Sequence, residues 1–347
     1  MPSIDYQLAE YSDLFMLLAA FTYTVALLAF AWDLAKSSKT LKAIDQKAAV
    51  QTAPKAMATA GAPVAGAPTG PADSNRQWNT GEAVTADDAM GYSGPRRNAA
   101  RVAVALTVLG TVIHAAAVVT RGLAAHRVPW GNMYEFCTTG ALVVSLVFLL
   151  VLLRRDLRFL GTFVVGLVLI MMMAATIGFP TPVGHLIPAL QSYWLIIHVS
   201  VAVIASALFT LTFAMSVLQL LQADREAKTR AGGKARFAFL KIVPSAQSLE
   251  NFSYRINAVA FVLWTFTLMA GAVWAEQAWG RYWGWDTKEV WTFVIWVVYA
   301  GYLHARATRG WTGTRAAWLS IVGYLCVVFN FTIVNVYFAG LHSYSGV

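Results

Sequence analysis

Apolar residues in this chain gather into long runs separated by short polar breaks. Positions 14–32 hold 19 residues without a charge, enough to cross a hydrocarbon layer about 30 Å thick at 1.5 Å per helical residue. Runs of the same kind recur at 102–120, 136–153, 159–179, 194–221, 256–274, 290–305 and 316–341. A backbone in lipid must satisfy its own hydrogen bonds, so these runs predict helices. The expected fold is an all-α integral membrane protein, a polytopic bundle of about eight transmembrane helices. One stretch breaks the pattern. From 36 to 98 the chain is rich in Ala, Gly, Pro and Thr without apolar periodicity. It reads as a disordered cytoplasmic linker between a first transmembrane helix at 1–35 and a membrane domain at 99–347.

Composition sharpens this picture, with 58% of 347 residues hydrophobic and only 12% charged. In a soluble protein the net charge of +9 would suggest nucleic acid. Its distribution excludes that reading. Twenty-two of the 26 basic residues fall in the breaks after the first, third, fifth and seventh runs, leaving Arg121, Arg127, Arg281 and Lys288 on the other side. Because Lys and Arg stay on the cytoplasmic side, the expected chain is a multi-pass plasma-membrane protein with both termini outside. Residues 1–13 carry Asp5, Glu10 and Asp13 and no basic residue, so the first run reads as a retained span and not as a removable signal. Cys137 and Cys326 form no CxxC, which argues against metal-thiolate or dithiol chemistry on this chain alone.

The chemistry-bearing stretch lies between the sixth and seventh runs. Within 275–289 it brings together Trp279, Tyr282, Trp283 and Trp285 with Arg281, Asp286 and Lys288. Written as a helix, it places Trp279, Tyr282, Trp283 and Asp286 on one face, an aromatic shelf with a polar end. A flat apolar ligand with charged edges suits such a shelf. The plainer reading is an interfacial aromatic belt, with Asp286 and Glu289 as a capping box opening the next helix.

Topology gives each histidine a depth. His198, near the outer end of the fifth run, and His342, after the eighth, share the outer side with the tryptophan stretch. Two neutral imidazoles facing across an aromatic shelf are what bis-histidine ligation of a haem iron requires. His304 lies about 21 Å below the outer surface, 14 residues past Val290, and cannot share an iron with His198. An ionisable residue at that depth is a functional candidate, the alternative being a snorkelling inner-edge histidine. His114 is only about 9 Å from the outer end of its run, so if His304 is an axial ligand its mate comes from another chain. His126 and His185 read as solvated loop residues. The loop 127–136 adds Trp130, Asn132, Tyr134 and Glu135 on the outer side, as a wall for the site. Arg127, Arg281 and Lys288 are candidates to hold haem propionates, or else lipid phosphate.

These residues resemble a known family. Trp279-Gly-x-Tyr-Trp-x-Trp-Asp-x-Lys-Glu289 is similar to the tryptophan-rich WWD signature of haem-handling proteins. Leu-Gln-Ser-x-Trp-Leu-x-x-His198, Gly-Leu-His342-Ser-Tyr and Trp-Gly-Asn-Met-Tyr-Glu-Phe136 resemble its CcsA (ResC) branch, the likeness covering about 102–344. The resemblance implies a membrane subunit of a cytochrome c synthase, which presents haem b, as bound substrate, at the outer face for attachment to CxxCH motifs of apocytochrome c. It implies that His198 and His342 are the external haem ligands and His304 the transmembrane one. It also implies a CcsB (ResB)-type partner supplying a second transmembrane histidine, and a thioredoxin-like thiol reductant. Two alternatives share much of this evidence: a haem exporter or chaperone without synthase activity, and a haem-containing quinone-linked membrane oxidoreductase. An ion-coupled transporter would need several intramembrane acids, and the runs hold essentially none.

Overall fold

Each long apolar run becomes a helix, and polar or glycine-bearing breaks stop it. The computed structural model describes residues 3–52, 90, 97–186, 188–233, 237–308 and 310–342. Among the described residues there are eight long helices, one short one and no strand. They are α1 (Tyr6–Thr52), α2 (Asn98–Ala124), α3 (Met133–Leu152), α4 (Gly161–Met173), α5 (Tyr193–Arg230), α6 (Ala246–Trp279), α7 (Thr287–Thr308), α8 (Thr314–Phe331) and the short α9 (Ile333–Tyr337). The starts follow ordinary capping chemistry. Asn132 accepts the Glu135 N–H at 2.9 Å to open α3, and Ser192 accepts the Trp194 N–H at 3.2 Å to open α5.

Seven of the described helical stretches are long and apolar enough to cross a membrane. The expected seventh run forms α7, whose polar and aromatic positions dilute its hydropathy, and its 22 residues pack antiparallel along part of the 34-residue α6. At one end Glu250, in the first turns of α6, pairs with Arg306 at 3.0 Å and accepts the Gly313 N–H at 2.7 Å. Midway, Trp264 Nε1 donates to the Thr292 carbonyl at 3.1 Å. Two apolar cores organise the bundle, one among α1–α5 and the start of α6, the other among α5–α8, so α5 contributes to both. Contacts of α5 with both α3 and α8 join the two halves.

The first membrane span is Tyr6–Ser37, and α1 continues as helix through the first residues of the expected linker to Thr52. Residues 36–52 are rich in Lys, Ala and Gln, and extending an existing helix avoids the cost of a new nucleus. Met90, also inside the expected linker, is buried in the α1–α5 core and its carbonyl accepts the Asp156 N–H at 2.6 Å. The rest of the expected linker, 53–89 and 91–96, lies outside the described residues.

Candidate functional site

The tryptophan stretch is not a helix. α6 ends at Trp279 because Gly280 takes the left-handed conformation at φ 71°, donating its N–H to the Glu276 carbonyl at 2.7 Å. The chain turns through 280–286 and becomes helical again at Thr287, so the expected single face of Trp279, Tyr282, Trp283 and Asp286 does not form. Glu289 shapes the turn instead. Its Oε2 collects the Gly284 and Asp286 N–H groups at 2.8 and 3.0 Å, the second being the return arm of a capping box. This grip holds Trp285 between them at φ 59°, a backbone conformation costing of order 1–3 kcal/mol for such a residue.

The fold brings His198 and His342 to one cleft beside this turn. Its walls include Trp130, Met133, Phe136, Leu195, Trp264, Trp274, Lys288 and Phe331, and it encloses about 900 Å³ of empty space, open mouth included. A second, smaller recess shares both histidines and is lined by Gly271, Tyr282 and Trp283. Trp274, buried one turn and a half before Trp279, is the wall common to the two imidazoles. His198 stacks on it at 5.9 Å and 11°, while His342 meets it edge-on at 5.5 Å and meets Trp279 at 4.8 Å.

Hydrogen bonds fix what each imidazole offers. His198 Nδ1 lies 2.9 Å from the Thr267 carbonyl, and a carbonyl only accepts, so Nδ1 carries the proton and Nε2 keeps its lone pair. His342 Nδ1 lies 2.5 Å from Asp286 Oδ2, which likewise leaves Nε2 for a ligand. Burial is the largest influence and works to raise the Asp286 carboxyl, but the hydrogen bond from His342, the charge this imidazole takes up when protonated, and the Thr287 and His342 backbone N–H groups together hold it below the ordinary carboxylate value. Gly271 makes room for His198, since a Cβ there would stand 2.7 Å from the ring's Cε1.

Around the pair, Lys288 reaches the cleft from the first turn of α7 and donates to Asn335 Oδ1 at 2.6 Å. Trp130 also lines the cleft, its indole N–H buried and without a hydrogen-bond partner among the described residues. Arg127 is committed elsewhere: with Arg121 it clamps the fully buried Glu135, which also accepts the Gly131 N–H at 2.8 Å. That clamp positions the Trp130 loop. Arg281 is exposed and donates to the Gly284 carbonyl at 3.3 Å, and Trp285, 76% exposed, touches Trp283 edge-on. His304 sits on an exposed face of α7, 16 residues or about 24 Å below Lys288. His114 is buried against Tyr23 in the other half of the bundle, and His126 and His185 are exposed.

Two imidazoles with free Nε2 atoms, a wide aromatic wall and a buried ammonium suit a flat metal macrocycle, which brings its own equatorial ligands and carries anionic edges. Trp274, Gly271 and Thr267 were missed by the sequence reading. Trp274 lay inside an apolar run where one more aromatic carries no signal, and Gly271 and a backbone carbonyl carry none at all.

Comparison with known proteins bounds the same region. A family model described as cytochrome C assembly protein matches residues 130–342, from the wall tryptophan to the second imidazole. The cytochrome c biogenesis protein CcsA of Guillardia theta is 35% identical over 254 residues, covering 69% of this chain and 83% of that protein. That of Synechococcus sp. (strain RCC307) is 32% identical over 269 residues, covering 72% and 86%, and that of Prochlorococcus marinus 40% over 179 residues, covering 46% and 57%.

Proposed function

From its place in the cytochrome c assembly family, to which this multi-pass membrane chain belongs, we propose that it is the haem-presenting subunit of a cytochrome c synthase. The observation that carries this is the pair of imidazoles on Trp274 that line one cleft, each with Nδ1 engaged so that Nε2 is left for a ligand. His198 and His342 ligate the iron of haem b, the bound substrate. Lys288 and the Trp130 indole N–H are the donors nearest to hand for the propionates, and Arg281 guards the rim. The cleft end faces outward, a reading supported by the sparse basic residues on that side. The outer aromatics Tyr282, Trp283 and Trp285 flank the vinyl edge. There each CxxCH thiol of apocytochrome c adds across a vinyl double bond, its sulfur to one carbon and its proton to the other. The chain contributes orientation, and the reactivity is the macrocycle's own.

His304 belongs to an earlier station. Its exposure on α7, far from the cleft, supports ligation shared with a histidine of a CcsB (ResB)-type partner, from which haem passes to the cleft. A thioredoxin-like protein keeps the substrate thiols reduced.

The test is a visible spectrum of the chain purified with its partner, comparing wild type with His198→Ala and His342→Ala. Loss of bis-histidine bands in either variant supports the ligand assignment. Unchanged spectra in both overturn it. Co-expression with a CxxCH-bearing apocytochrome then separates a synthase from an exporter or chaperone, which would yield no covalent haem.

A further inference from the structure

The two imidazoles differ in what holds them. His198 leans on a neutral carbonyl at 2.9 Å, whereas His342 faces a carboxylate at 2.5 Å. Three features serve that second contact. Asp286 and His342 have side chains only 7% and 17% exposed, which limits screening by water. Glu289 ties down the Asp286 N–H, while the Asp286 carboxylate faces the imidazole and also accepts from the Thr287 and His342 backbone N–H groups. Gly340, two residues before His342, has no side chain where a Cβ would overlap Asp286 Oδ1, so the backbone at Gly340 packs directly against the carboxylate.

We propose that Asp286 is a positioning residue for haem binding: through Nδ1 it gives His342 partial imidazolate character, making it the stronger axial donor and biasing the site toward ferric iron. This rests on the reading above that both histidines ligate haem. A carboxylate drawing on Nδ1–H raises the donor strength of Nε2 and fixes ring orientation, and removing such a partner typically weakens metal binding about 10- to 100-fold. A plain capping role for Asp286 predicts something else. Asn caps a helix as well as Asp, so a structural residue would tolerate Asp286→Asn without spectroscopic change.

The experiment is spectroelectrochemistry of the haem-loaded chain with its partner, in wild type, Asp286→Asn, Asp286→Glu, Gly340→Ala, His198→Ala and His342→Ala. In Asp286→Asn the six-coordinate bands persist while the midpoint potential rises. A tenfold loss of preference for ferric over ferrous haem is about 59 mV for one electron. Gly340→Ala, which displaces the carboxylate without removing it, moves the potential in the same direction, and Asp286→Glu returns it toward wild type. An unchanged potential in Asp286→Asn and Gly340→Ala, with the bands still sensitive to His198→Ala and His342→Ala, overturns the role of Asp286 alone. Bands insensitive to both histidine substitutions overturn the ligand reading as well.

Discussion

Gly271→Ala isolates the geometry of His198 from its chemistry. The added Cβ would stand 2.7 Å from the imidazole Cε1 and 2.9 Å from Nδ1, and His198 supplies all of its nearest neighbours. To regain 3.4 Å the ring must retreat from 2.7 Å, about 0.7 Å away from α6. Thr267 lies on the same helix one turn earlier, so the retreat also stretches the 2.9 Å Nδ1 bond to about 3.6 Å, beyond hydrogen-bond range. Losing that bond in a buried setting costs about 1–3 kcal/mol, while alanine in place of a mid-helix glycine returns about 0.8–1.0 kcal/mol. Net destabilisation is therefore at most about 2 kcal/mol, and the fold survives. Ligation does not, because the iron–nitrogen bond tolerates no such displacement. The expected result is a purified variant with near-native helical circular dichroism and a depleted six-coordinate haem spectrum. In a His198→Ala background the same substitution should stabilise the protein by about 1 kcal/mol, since the ring it meets is gone. A Gly271→Ala protein with the wild-type spectrum and wild-type thermal midpoint would refute the reasoning.

His304→Ala should abolish a haem fraction that appears only when the partner is present, and leave the cleft fraction intact in spectra taken without it. Glu135→Ala leaves Arg121 and Arg127 buried without their common carboxylate, so it should cost about 3–5 kcal/mol in thermal or denaturant unfolding of the detergent-solubilised protein. The Asp286 carboxyl sits below its ordinary value of 3.8 in the fold, so its contribution to stability is complete above that value and lost as pH falls through the lower folded one. Acid unfolding curves should thus flatten at their low-pH limb in Asp286→Asn. A wild-type limb in that variant would show that the pair with His342 adds nothing.

Much of the membrane architecture was legible in one dimension. Spanning runs are a property of contiguous residues, and each of the eight expected runs corresponds to a long helix among the described residues, including α7 with its diluted hydropathy. His198, His342 and Lys288 were likewise found from rare residue types at the ends of those runs, and the structure gathers them at one cleft. The helical reading of 279–289 failed because a single glycine at φ 71° and a carboxylate collecting two N–H groups decide that turn, and spacing alone does not register either. The reach of α1 to Thr52 leaves no mark in the apolar pattern, because helix propagation from a membrane segment needs no apolar periodicity.

Local sequence dictates which segments must be helices and which side chains carry unusual chemistry, because lipid imposes its constraint on consecutive residues. Helix packing alone sets how those side chains are held: the Thr267 carbonyl under His198, the void at Gly271, Trp274 between two rings, and Asp286 against His342. Each joins residues from different helices or from a helix and the stretch after α9. Such pairings depend on rotations and depths of whole helices, which short-range sequence patterns do not encode.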